Sequence, residues 1–262
     1  MRKILALLAL VATFAFAAAR APAQELLVNG DFGNPGASGQ TSVGWTVTEG
    51  PLNMATPPVL ADAASFAGFA DHTTPGADNA GVWLKSFAGN PTSTTAPPQV
   101  FADVTQTVAG LPALKYTLSA WSRFETHYAG GLDSLNDGAP EDPGESTTDG
   151  AASPTDTVLA IDFLDALNTI IGTSSIELRA DGQVNNTGWR QHFVTGVSPV
   201  GTTAVQVRGS LISGQINPGV NPQSAFLDDF SLTAVAIPEP ATAALLGIGI
   251  GLAGLTAVRR RK

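Results

Sequence analysis

Residues 100–108 read VFADVTQTV and residues 115–125 read KYTLSAWSRFE, and both runs alternate apolar with polar side chains. A period of two sends successive side chains to opposite faces of an extended chain, so each run predicts a strand with one buried face. Ala-Gly-Leu-Pro at 109–112 lies between them and predicts the turn that folds one onto the other.

The same pattern continues outward from this pair. Residues 157–173, TVLAIDFLDALNTIIGT, read as two strands around an Asp-Ala-Leu-Asn turn. WRQHFVTGVSPV (189–200), TTAVQVRGSL (202–211) and SAFLDDFSLTAV (224–235) complete the set. Turn residues separate these runs, and none of them sustains a helical period. Many short strands at fairly regular spacing predict an all-β jelly-roll β-sandwich.

Two apolar segments flank this region. Arg2 and Lys3 precede an apolar run over 4–19, and Ala21-Pro22-Ala23 supplies small residues for cleavage before Gln24. Residues 1–23 therefore read as a signal peptide helix removed by signal peptidase. At the other end, 241–258 contains neither charge nor proline. As a helix it would reach roughly 27 Å, enough to span a bilayer core once. Arg259, Arg260, Arg261 and Lys262 follow directly, and such clusters stay cytoplasmic. Residues 24–236 would then lie outside the membrane. Pro238-Glu239-Pro240, just before the apolar run, favours extended backbone that a processing enzyme can grip.

This order of Pro-Glu-Pro, apolar helix and Arg cluster over 237–262 resembles the PEP-CTERM sorting signal of Gram-negative bacteria. The resemblance implies export through the inner membrane and recognition by an exosortase-type enzyme. It also implies removal of the tail and a place on the cell surface or outside the cell, in exopolysaccharide and biofilm. A permanent single-span anchor is the other reading of the same segment.

Between these ends, 21 carboxylates face six cations, a net charge of about −15. So acidic a surface repels nucleic acid and anionic membranes and suits divalent cations or neutral ligands. There is no cysteine, so no disulfide stabilises the exported part. Half of the chain's 22 acids fall between Arg123 and Arg179, where no cation occurs. The stretch 133–156 reads as a solvated insertion between two strands. A calcium loop of the EF type starting at Asp133 fails at Leu135, where an oxygen ligand is required.

The exported part opens with ELLVNGDFGNPGASGQTSVGWTV and closes with AFLDDFSLT. With VTQTVAGLPALKYTLSAW and GWRQHFVTGVSPVGTTAVQVRGSL, these segments resemble carbohydrate-binding-module-like jelly rolls with a galactose-binding-type fold. The resemblance implies that the first and last strands lie together, tied by a structural Ca2+. Asn29 and Asp31 beside the first strand, with Asp228 and Asp229 on the last, are the candidate ligands. Gly33 stands where such modules often carry Glu, so one implied ligand is missing. Alternation along the last strand places Phe226, Asp228, Phe230 and Leu232 on one face. An inward Asp228 must be paired, hydrogen-bonded or metal-bound. A structural carboxylate accepting from backbone N–H groups or an arginine is the alternative to calcium.

Sugars stack on aromatic rings, which makes Trp45, Trp83, Trp121 and Trp189 candidates by type. Trp121 lies in an alternating strand and Trp45 and Trp189 at strand starts, so these three read as core residues. Trp83 and Tyr128 are then the candidate ligand-binding aromatics. His72, His127 and His192 fit no metal spacing and read as surface residues. No G-x-S-x-G and no thiol nucleophile is present, so the expectation is a non-enzyme. It is an exported matrix or surface protein that binds polysaccharide, with a purely structural envelope protein and a polysaccharide-active enzyme as alternatives.

Overall fold

The computed structural model describes residues 24–33, 42–50, 64–72, 80–86, 100–130, 155–185, 188–214 and 222–237. The expected signal peptide, the acidic stretch 133–154 and the sorting residues Pro238, Glu239, Pro240, Arg259, Arg260 and Arg261 lie outside them. No helix among the described residues is long and apolar enough to cross a membrane.

Among the described residues ten strands follow in order: β1 (Thr46–Gly50), β2 (Ala64–Ala67), β3 (Gly81–Leu84), β4 (Val100–Ala109), β5 (Leu114–Phe124), β6 (Asp156–Leu164), β7 (Ile170–Glu177), β8 (Arg190–Val197), β9 (Ala204–Gly214) and β10 (Ala225–Ala236). A 3-10 turn, Gly68–Ala70, follows β2. The strands form two five-stranded sheets, β1-β4-β9-β6-β7 and β2-β3-β10-β5-β8. Strands β3 to β10 divide equally between the two as an eight-stranded jelly roll, and β1 and β2 each extend one edge. All named pairings are antiparallel.

The alternation read from the sequence sets the layers. In β5, Tyr116, Leu118, Ala120 and Phe124 are buried between the sheets, while Lys115, Thr117, Ser119, Trp121 and Arg123 point away. Leu159, Ile161, Val205, Val207, Leu211, Leu227 and Phe230 fill the same interior from the other strands. Among the described residues this core runs from Leu27 to Leu232.

The first segment docks on the last strand, as the resemblance implies. Glu25 bridges to Thr233, and the Leu26 amide donates to the Leu232 carbonyl at 2.9 Å. The Glu25 carboxylate also accepts from the Leu232 amide and the Ser231 hydroxyl. Farther along, the Phe230 amide donates to the Gly30 carbonyl at 2.9 Å. A Cβ on Gly30 would lie 2.0 Å from the Phe230 carbonyl oxygen, so only glycine allows this approach.

Strand β10 departs from simple alternation. Asp228 pairs with Trp121 but Ser231 pairs with Ser119, so the strand carries one extra residue, with Asp229 at φ 51°. The bulge reverses the facing of the residues after it. Phe226 and Asp228 lie on the outer side with Arg123 and Trp121, whereas Phe230 turns inward against Phe32 and Trp45. The four residues expected on one face are divided two and two.

Candidate ligand-binding face

The outer face of the sheet β2-β3-β10-β5-β8 is aromatic. Register places Trp83, Phe226 and Arg123 side by side on β3, β10 and β5, and Asp228 beside Trp121. The 3-10 turn brings Phe69 back over this row, with its ring 5.8 Å from Trp83 and 6.0 Å from Phe226. The Arg123 guanidinium lies 4.3 Å from the Phe226 ring centre and 5.2 Å from that of Trp189, and it donates to the Phe69 carbonyl. Burial lowers the Arg123 pKa, offset in part by Glu125.

His72 closes the other side. Its ring stacks on Trp121 at 4.0 Å and 17° and meets Trp189 edge-on at 5.2 Å. Its Nδ1 is 2.7 Å from Asp229 Oδ2, and its amide donates to Asp228 Oδ2 at 2.7 Å. The Asp229 amide donates to Asp228 Oδ1 at the same distance. Under this cover Asp228 is buried, although it faces away from the core. Burial pushes its pKa up to about 8; the two backbone N–H groups pull it down, and the charges of Asp229 and Asp71 push it further up.

Phe69 is 55% exposed and Trp83, Trp121 and Trp189 are half-buried. The face therefore offers ring surface to solvent beside a fixed cation. An indole or phenyl face can stack on the apolar side of a pyranose ring, while Arg123 and the His72–Asp229 pair supply polar partners.

The sequence expectations divide accordingly. Trp83 belongs to this face, its indole N–H donating to the Ser224 hydroxyl. Tyr128 does not: its ring packs 4.8 Å from Phe124 in the core, and its hydroxyl lies 2.6 Å from that of Thr157. At 1% exposure it has no surface to offer a ligand. Trp45 is a core residue as expected, its indole N–H donating to the Asn29 carbonyl. Trp121 and Trp189 correct the expectation of core packing. Trp121 has the opposite strand parity from Tyr116, Leu118 and Phe124, and this alone sends it outward.

The four candidate calcium ligands make separate contacts. Asn29 donates its amide to the Ser42 hydroxyl and the Val43 carbonyl. Asp31 is exposed and accepts from the Gly33 amide, while Asp228 and Asp229 face His72. Among the described residues no three His, Cys, Asp or Glu side chains converge on a metal-sized position. The Asp228 carboxylate meets two backbone N–H groups, which is the structural alternative read from the sequence.

A second cluster has the spacing of a nucleophile, a base and an orienting acid. Ser122 Oγ lies 2.9 Å from His192 Nε2, and His192 Nδ1 lies 2.7 Å from Asp181 Oδ2. The expected surface role of His192 is corrected, because both it and Ser122 are fully buried. Ser122 donates to Gln183 Oε1 at 2.8 Å, so the string ties the segment after β7 to β5 and β8. Burial lowers the His192 pKa against the opposing influence of Asp181.

Residues 236–262 match the PEP-CTERM protein-sorting motif. No curated protein matches the sequence. Among solved structures, the Stig cyclase Fisc from Fischerella sp. TAU is 13% identical over 82% of this chain and 99% of its own, with a TM-score of 0.48. TmCBM61, solved with beta-1,4-galactotriose, is 13% identical over 80% of this chain and 97% of its own, with a TM-score of 0.40. The active domain of tailspike protein 4 from bacteriophage CBA120 is 12% identical over 80% of this chain, with a TM-score of 0.46. This chain spans only 21% of the length of that tailspike chain. At such identities no residue role passes from these proteins to this one.

Proposed function

We propose that the chain is an exported, non-catalytic surface or matrix protein whose jelly roll binds polysaccharide on the outer face of β2-β3-β10-β5-β8. The observation that carries the reading is the gathering of Phe69, Trp83, Trp121 and Trp189 around Arg123 on one sheet face. Rings held half out of water by neighbouring rings lose little conformational freedom when a sugar stacks on them. The exported part carries a strong negative charge, so a neutral or weakly charged glycan suits it better than a polyanion. The sorting motif supports export to the cell surface or matrix and processing by an exosortase-type enzyme; an exopolysaccharide-rich setting is part of the proposed reading. The burial of Ser122 and His192 supports the non-catalytic reading, since a substrate carbonyl has no path to the hydroxyl.

The test is affinity electrophoresis of residues 24–237 through gels containing a panel of neutral and acidic polysaccharides. Retardation by at least one neutral polysaccharide, relieved by Trp121→Ala or Trp189→Ala, is the expected result. Unchanged mobility in every gel would remove sugar binding and leave a structural envelope protein. Shortening of the polysaccharide during the run would turn the reading toward an enzyme.

A further inference from the structure

We propose that the end of the sandwich from which the C-terminal segment leaves is a lipid-facing surface that seats the domain on the bilayer. This rests on the reading of 237–262 as a membrane-inserted sorting segment.

Three turns meet at the end where β10 finishes: 110–113 between β4 and β5, 165–169 between β6 and β7, and 198–203 between β8 and β9. Each presents a bare apolar side chain at its tip. Leu111 is 64% exposed, Leu167 84% and Val200 92%, with Ile170, Val235 and Ile237 exposed around them. Such side chains on three separate turns form a patch rather than scattered singles. The patch is also nearly without charge, in a domain that is otherwise strongly acidic. The only ionisable residue in the three turns is Asp165, whose carboxylate accepts from the Leu167 and Thr169 amides. The nearest cation, Lys115, is exposed beside them at the start of β5. The seven acids of 125–155 belong to the connection that leaves from the opposite end, between Phe124 and Asp156.

Several backbone groups of the turns are paired with one another, which lowers the cost of approaching a medium that hydrogen-bonds poorly. Gly110 donates to the Thr203 carbonyl at 3.0 Å, Ala113 to the Ser198 carbonyl at 3.1 Å and Thr203 to the Leu164 carbonyl at 2.8 Å. The Ser198 hydroxyl donates to the Leu111 carbonyl at 2.8 Å, and the Leu111 amide donates to the Tyr116 hydroxyl. Leu111, Leu167 and Val200 stand outward beside the exposed polar side chains of Asn168, Thr169 and Thr203.

The chain itself supplies the occupant. Strand β10 ends at Ala236, and only residues 237–240 precede the charge-free run 241–258. Four residues reach at most about 14 Å, even fully extended. A segment that enters the bilayer so soon holds this end of the domain against the headgroups, where apolar side chains partition into the interface.

The chain lacks cysteine, so single probes are clean. Residues 24–262 carrying Leu111→Cys, Leu167→Cys, Val200→Cys or Thr126→Cys are labelled with a polarity-sensitive dye. Each is then reconstituted into phosphatidylcholine vesicles with and without spin-labelled lipid. Thr126, exposed just beyond β5 at the opposite end, is the control. Lipid-borne quenching at the first three positions and none at the fourth is the expected result. Insertion of the chain with all four equally unquenched overturns the lipid-facing end while leaving the sorting reading intact. Blue-shifted emission without lipid quenching marks a contact between copies and also overturns it. A chain that never enters the vesicles overturns both readings.

Discussion

The two outer faces of the sandwich each bury an aspartate, and they treat it in opposite ways. On β1-β4-β9-β6-β7, Asp162 is fully buried with Arg208 Nε 2.9 Å from one oxygen and the Thr173 hydroxyl 2.7 Å from the other. Arg208 also donates to Ser210, which in turn donates to Asp103, so the row closes on itself. Burial lowers the Arg208 pKa, but the hydrogen bond and charge of Asp162 and the charge of Asp103 outweigh it and raise it. On β2-β3-β10-β5-β8, no cation among the described residues pairs with Asp228: it meets two backbone N–H groups and lies near Asp229 and Asp71. The arginine of that face, Arg123, lies over rings instead. One face has used its polar groups on itself, while the other keeps ring surface, a cation and a strained acid for something else.

The largest expected effect tests this strained acid. The Asp228 pKa is about 8 in the fold against an ordinary 3.8. Between those values the folded state binds a proton that the unfolded chain has released. The contribution of Asp228 is therefore favourable below about pH 3.8 and is lost as pH rises to about 8, by up to about 6 kcal/mol. Other carboxylates titrate over the same range, so the quantity to follow is the difference in Tm between the parent and Asp228→Asn. The parent should lose ground to the variant steadily from pH 4 to pH 8. A difference that is flat with pH would show Asp228 ionised and comfortable, and the contrast between the faces would disappear.

The second prediction tests the closed face. Arg208→Leu strands Asp162 with one hydroxyl partner, and breaking a buried pair in this way costs several kcal/mol. Arg208 is partly exposed, so the expected loss in urea denaturation is about 3 kcal/mol. Adding Asp162→Val should recover much of it, because the penalty comes from the uncompensated charge. Arg123→Leu on the other face gives up a cation–ring contact and should cost about 1 kcal/mol. Equal losses for the two arginines would mean that both faces are closed networks.

How much of this the sequence disclosed depends on how local each cause is. Strand β5 was legible because its period of two and its Ala-Gly-Leu-Pro turn are written in adjacent residues. The turn at 165–168 was legible for the same reason, whereas Asp228, expected to turn into the core, is buried on the outer face instead. The bulge at Asp229 was not, because a non-glycine residue with positive φ has no sequence mark and yet reverses the face of everything after it. Tyr128 read as free because it lies outside the strands, and its hydroxyl partner Thr157 is 29 residues away. The cover over Asp228 comes from His72, 156 residues distant in sequence, and no spacing rule reaches that far. Parity alone could have placed Trp121 on the outer side, since Phe124 and Leu118 fix the inner one.

The smallest effect on stability should accompany the largest on binding. Trp189 is half-buried, meets His72 edge-on and carries Arg123 over its ring, so Trp189→Ala removes one aromatic contact and one cation–ring contact, neither within the core. Each is worth about 1 kcal/mol or less beyond area at such a site. The Tm should therefore fall by only a few degrees, since about 1 kcal/mol moves a domain of this size by roughly 2–4 °C. If ring surface is what the face offers, the same change should release the protein from any polysaccharide gel that retards it. Trp45→Ala supplies the opposite case, because Trp45 packs among Phe32 and Phe230 and its loss opens the core at about 3–5 kcal/mol. A Trp189 variant that melts like the Trp45 variant would make Trp189 a structural residue, and the aromatic face would lose its claim to be a site. A variant that melts like the parent and runs freely through the gel would separate binding from folding at a single side chain.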